Sequence, residues 1–153
     1  MHIMIEKKLA SLGIFLPVPP GPAGSYVPVV VSGNLAFVSG QIPLEGTDLK
    51  FKGKVESAEI GQLAARLCTI NALAQLKSFL GELDRIKQII KVTGFVNCHP
   101  SFIDHAQVIN GASDLLVQIF GENGRHTRAA VGVSSLPLNS AVEIEFTVEL
   151  NSN

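Results

Sequence analysis

Near the end of the chain, the stretch TRAAVGVSSLPLNSAVEIEF (Thr127 to Phe146) carries the two residues best suited to chemistry, Arg128 and Glu143. Arg128 opens an apolar run, and the alternate positions that follow it are only Ala130 and Gly132. A guanidinium presents a flat fork that meets a carboxylate in two hydrogen bonds, and small neighbours leave room beside it. Glu143 stands at the start of the next run. Arg128 has two readings at this point: an anion site, or a surface arginine paired with Glu145 or Glu149. Strand position alone favours the surface pair, which is common and weak.

The other reactive side chains are dispersed. Cys98, His99 and His105 follow a C-H-x5-H spacing that matches no four-ligand zinc pattern, so no metal is expected. Cys68 falls in the middle of a helical pattern near its apolar side and reads as a small core residue. Asn110 sits inside a second helical pattern, where its propensity is poor. It is either an exposed amide or one that holds a ligand or a neighbouring strand. Tyr26, the only tyrosine, follows a Pro-rich loop and opens a strand, where it can cap a pocket or cover the core edge. No phosphate-binding loop, dinucleotide fingerprint or nucleophile elbow is present.

The elements that must position these residues follow from periodicity. Ile5, Leu9 and Leu12 predict an N-terminal helix over residues 3–12, closed by Gly13. PVPPGPAGS (Pro17 to Ser25) forbids regular structure. Tyr26 to Ser32 and Leu35 to Ile42 predict two strands around a Gly33-Asn34 hairpin turn. A short edge strand is expected near Leu49 to Phe51. Ser57 caps a long amphipathic helix that ends at Gly81, and Asp104 caps a second that ends at Gly121. Between them Ile86 to Asn97 reads as a strand. Arg128 to Ser134 and Val142 to Leu150 complete the order. In the last strand Val142, Ile144, Phe146, Val148 and Leu150 alternate with Glu143, Glu145, Thr147 and Glu149, so the apolar set should face the helices. By the same alternation Ala129, Val131 and Val133 are expected on the helix face, and Arg128, Ala130 and Gly132 on the other. If the last two strands form a simple hairpin, Glu143 comes opposite about Ser134. Arg128 and Glu143 then share a pocket only through an offset, a bulge or a second chain.

The composition narrows the setting. Of 153 residues 46% are hydrophobic and 16% charged, against roughly 25% charged in ordinary globular domains. So little charge predicts apolar surface that a symmetric oligomer would cover. The net charge is −1 and no basic stretch exceeds Lys7-Lys8, so no nucleic-acid partner is expected. Glu6, Lys7 and Lys8 interrupt any leader-like apolar run, and no run approaches a membrane span. Two cysteines make no disulfide framework, so a cytoplasmic setting is expected. One domain is expected, with residues 1–24 as a helix and loop belonging to it and residues 25–153 as its main body.

Together, FVSGQIP (Phe37 to Pro43), the helix containing Asn71, KVTGFVN, Asn110 and TRAAVGVSSLP with VEIE resemble the Rid/YjgF family of reactive-intermediate deaminases. The resemblance covers roughly Tyr26 to Leu150. It implies an α+β, chorismate-mutase-like subunit: a mixed sheet with two long helices on one face, in a homotrimer with a central barrel and pockets between subunits. It implies hydrolysis of 2-imino or enamine acids to 2-oxo acids and ammonia without a cofactor. On that pattern Arg128 matches the carboxylate-binding arginine and Glu143 the pocket glutamate. Tyr26, Ser39, Gly40 and Asn110 match further pocket positions. Ala130 stands where the family often has cysteine, which excludes a thiol role and leaves its backbone N–H. The segment Gly124-Arg125-His126-Thr127 departs from the family's usual residues. The alternatives are a small-carboxylate-binding regulatory module without turnover and an RNA-directed activity. The dispersed basic residues and the lack of a cleavage pair count against the second.

Overall fold

The computed structural model describes residues 4–19, 21 and 24–152. Pro20, Pro22 and Ala23 of the expected loop, and Ile3 at the start of the expected first helix, lie outside the described residues. Helix α1 (Met4–Ser11) seats Leu9 in the core. Strands β1 (Val29–Ser32) and β2 (Leu35–Gln41) form the expected hairpin, with Gly33 at φ 61° in its turn. The first strand starts later than its apolar residues suggest. Tyr26 lies in a bend, and Pro28 accepts from the Ser39 N–H before pairing begins. The expected edge strand near Leu49 to Phe51 is instead a tiny hairpin, β3 (Leu44–Glu45) with β4 (Asp48–Leu49).

Helix α2 (Ala58–Leu80) begins at Ser57, whose hydroxyl accepts from the Ile60 N–H, and stops at Gly81, φ 88°. Strand β5 (Ile86–Asn97) leads into α3 (His105–Phe120). Asp104 stands at the N-cap of α3, but its side chain makes no capping bond, contrary to expectation. Strands β6 (Thr127–Val133) and β7 (Val142–Leu150) close the chain.

The main sheet has the order β1-β2-β7-β5-β6. All neighbours run antiparallel except β5 and β6, which are parallel. The two last strands are therefore not a hairpin. β5 lies between them, and Pro137 to Asn139 form a helical turn in the connection. Helices α2 and α3 cover one face, where Val92, Val96, Ile144, Phe146 and Val148 are buried. Two glycines set the approach. A Cβ on Gly94 would lie 2.8 Å from Ile109 Cγ2 of α3, and one on Gly111 would lie 2.8 Å from Gln62 Cα of α2. Cys68 is fully buried, as a core residue should be, and burial pushes its thiol pKa up. The opposite face leaves Val30, Phe37 and Val131 exposed. Among the described residues no helix is long and apolar enough to cross a membrane.

Candidate functional site

Strand register decides which side chains can meet. Paired residues in neighbouring strands point to the same face. Arg128 pairs with Val92, which pairs with Phe146, and both partners are buried under the helices. Arg128, Ala130 and Gly132 thus lie on the helix face, and the expectation from alternation is reversed. The reason is composition. On an edge strand Val131 is left 41% exposed, while small residues fit beneath a close helix. Ala130 packs against the core, and a Cβ on Gly132 would lie 2.9 Å from Cys98 Sγ.

The Arg128 guanidinium reaches α3. Its Nη1 donates to Asn110 Oδ1 at 2.8 Å and to Ser113 Oγ at 3.2 Å. Asn110 is thus an amide that holds a neighbouring strand. Arg128 has no ion pair with any carboxylate among the described residues, so pairing with Glu145 or Glu149 does not occur. It is half-buried, and it lines a hollow of about 280 Å3 with Ser113, Asp114, Val117, Arg125 and His126. His126 Nε2 lies 2.8 Å from Ser113 Oγ, and its Nδ1 lies 2.6 Å from Gly124 O. Burial is the largest cause holding the His126 pKa below its usual value; the bond to Gly124 O works against it, and the Arg128 charge adds to it.

Glu143 occupies the other face. It pairs with Phe95, which also pairs with Val131. Its carboxyl group lies over Gly40, where a Cβ would sit 2.9 Å from Glu143 Cδ. The irregularity of β2 between Val38 and Gln41 brings Ser39 and Gly40 to this point. Burial first, and then the neighbouring Glu145 charge, raises the Glu143 pKa above its usual value. Ser39 lines a shallow cleft of about 280 Å3 with Val27, Val30, Phe37 and Glu145. Tyr26, 50% exposed, precedes this edge. Asn71 anchors the segment after β2, donating to Ile42 O at 3.1 Å and Leu44 O at 2.9 Å.

The structure therefore brings Arg128 to Asn110 and Glu143 to Gly40, and sets these two groups on opposite faces. Two contacts were not anticipated from sequence, Ser113 and His126. The signal was available: Ser113 follows Asn110 by one helical turn, and His126 precedes Arg128 by one strand period. A separate cleft of about 410 Å3 holds Cys98 and His105, with Sγ 3.5 Å from Nε2. Among the described residues no three His, Cys, Asp or Glu side chains gather as a metal site.

A mixed sheet in the order β1-β2-β7-β5-β6 with two long helices on one face is the chorismate-mutase-like α+β architecture. Residues 6–150 match the family described as "YjgF/chorismate_mutase-like, putative endoribonuclease". The chain belongs to this Rid/YjgF family. It is 43% identical to Protein TCP17 of Trypanosoma cruzi, over 97% of this chain and 95% of that protein. The crystal structure of Atu1372 from Agrobacterium tumefaciens, a protein of unknown function, matches with TM-score 0.90 at 46% identity, covering 97% of this chain and 93% of that one. Escherichia coli TdcF, solved with bound serine, matches with TM-score 0.65 at 27% identity, covering 88% of this chain and 94% of that one.

Proposed function

We propose that the protein hydrolyses reactive 2-imino acids, with their enamine tautomers, to 2-oxo acids and ammonia, in a pocket completed between copies of the chain. The observation that carries this reading is the state of Arg128. It is half-buried, held through Nη1 by two neutral acceptors, and has no carboxylate partner among the described residues. A guanidinium so fixed offers its remaining edge to a planar anion. The bound serine of TdcF supports a small carboxylate of amino-acid size.

In this reading Arg128 binds the substrate carboxylate. Glu143 comes from a neighbouring copy, since it cannot reach Arg128 of its own chain through the sheet. Its raised pKa suits a group that exchanges protons near neutral pH. Glu143 takes a proton from water as the oxygen adds to the imine carbon. It passes that proton to nitrogen to give a carbinolamine, then takes the hydroxyl proton as the carbonyl forms and passes it to the same nitrogen as the C–N bond breaks and ammonia leaves. The imine is already electrophilic, so positioning and one proton shuttle suffice. Ser39, Gly40 and Tyr26 would wall the Glu143 side of the pocket, and Asn110 the Arg128 side. A homotrimer fits the exposed Val30, Phe37 and Val131 on the outer face, because closed symmetric assemblies cover such patches.

One observation favours a second reading, a carboxylate-binding module without turnover: serine in TdcF is an intact amino acid. RNA cleavage has less support, since a net charge of −1 with dispersed Lys and Arg offers a polyanion no footprint. The test is ammonia release in a coupled assay that generates 2-aminoacrylate or a longer imino acid, without added metal or cofactor. Acceleration over buffer supports the deaminase. Tight 2-oxo acid binding with no acceleration favours the binding module.

A further inference from the structure

We propose that His126 is a positioning residue, which fixes the Arg128 guanidinium through Ser113 so that one edge of the fork stays turned to the ligand. The inference rests on the reading of Arg128 as the carboxylate binder. It concerns the segment just before the arginine and a residue of α3 that no motif singles out.

The hydrogen bonds allow a single direction. Gly124 O is a carbonyl and can only accept, so His126 Nδ1 must carry the proton. In a neutral ring Nε2 then has a lone pair and must accept from Ser113 Oγ–H. Burial favours that neutral ring. With its proton committed to His126, Ser113 Oγ turns lone-pair density toward Arg128, whose Nη1 can only donate. Asn110 Oδ1 accepts from the same nitrogen. Both acceptors therefore pull on Nη1. The far side of the guanidinium, Nη2 and Nε, keeps its donors for a planar anion. Both nitrogens of His126 are engaged inside the protein, so the ring acts on a ligand through Ser113.

The sequence places the three links where they must be. His126 stands two residues before Arg128, just ahead of β6, and both reach Ser113 of α3. Asn110 and Ser113 are one turn apart on α3 and meet that face together. The short helical turn Gly121–Gly124 delivers the carbonyl that sets the tautomer.

Links in series make a specific prediction about coupling. Binding of 2-oxobutyrate is measured by calorimetry on wild type, His126→Ala, Ser113→Ala and the double variant, with thermal melts to confirm folding. A lost hydrogen bond of ordinary strength should weaken binding about three- to tenfold in each single variant. The double variant should lose little more than the worse single one, because both break the same relay. Two further variants separate positioning from local stability. His126→Gln keeps an acceptor near Nε2 and should restore affinity. His126→Asn keeps a donor near Nδ1 and should not. The reverse pattern, with Asn restoring and Gln failing, would mean that His126 only pins the Gly124 turn, and it overturns the proposal. Multiplying losses in the double variant overturn it also. Arg128→Ala is the separate arm. If it binds 2-oxobutyrate like wild type, the carboxylate reading itself is lost and the relay with it. If it loses binding while His126→Ala and Ser113→Ala keep it, only the relay fails.

Discussion

Arg128 and Glu143 lie on opposite faces of one sheet, separated by β5, whose Val92 pairs with the first and Phe95 with the second. No movement of side chains brings them together within one chain. A reaction that needs both must use an arginine from one copy and a glutamate from another. Arg128→Ala and Glu143→Gln should each be inactive alone. Unfolded together in equal amounts and refolded, they should regain activity at about one pocket in four, since half the chains supply an intact Arg128 and half an intact Glu143 in a randomly assembled ring. Measured ammonia release with no recovery in the mixture would show that the two residues do not share a pocket.

The arginine should resist conservative exchange. Arg128→Lys keeps the charge but loses the planar fork and the fixed bonds to Asn110 and Ser113. Hydrogen bonds to charged groups are worth about 1.5–3 kcal/mol, so 2-oxo acid affinity should fall at least about tenfold. The melting temperature should change little, because lysine overpacks nothing beside Ala130. Equal affinity in calorimetry would show that the fork is not used.

Two glycines should separate function from stability. A Cβ at Gly40 meets the end of the flexible Glu143 side chain, so Gly40→Ala should fold normally and displace that carboxyl group. Turnover should drop by the about 10²–10⁴-fold that general acid–base groups supply. A Cβ at Gly111 meets Gln62 backbone instead, where α2 and α3 touch. Gly111→Ala should cost about 1–3 kcal/mol of stability, as overpacking does. Melts and rates for both variants check the contrast, and normal turnover in Gly40→Ala would take Glu143 out of the chemistry.

How much of this was legible in the sequence depends on the kind of signal. β5, β7 and α2 announced themselves, through long apolar periods and the Ser57 and Gly81 caps. Local chemistry is enough for such elements. The placing of Arg128 was not legible, because Ala129-Ala130-Val131-Gly132 is nearly apolar on both sides and alternation carries no face. Only pairing with buried Val92 decides it. The parallel arrangement of β5 and β6 was hidden for a related reason. A Pro-containing connection between two strands reads as a hairpin unless the third strand that intervenes is known. Ser113 is unremarkable by itself and His126 stood out only as part of an unusual segment; their meaning comes from the arginine that joins them.

The Glu143 pKa should be visible in stability. Burial, and then the Glu145 charge, raises it above the ordinary 4.5. A carboxyl group whose pKa is higher in the fold than in the unfolded chain favours the fold while it is protonated. That contribution is fully present below about 4.5 and is lost as pH rises through the folded value. Ionised Glu143 therefore weighs against the fold at neutral pH. The comparison belongs in an Arg128→Ala background, which removes the guanidinium that a neighbouring copy would bring. There, Glu143→Gln should melt higher than its parent at pH 7, because the amide never ionises. The gap should close as pH falls below about 4.5, where the parent also carries a neutral group. A gap that does not vary with pH would assign the difference to packing. A lower melting temperature for Glu143→Gln at pH 7 would mean that the ionised carboxylate is stabilised in the assembly, and that its proton is not held for use near neutrality.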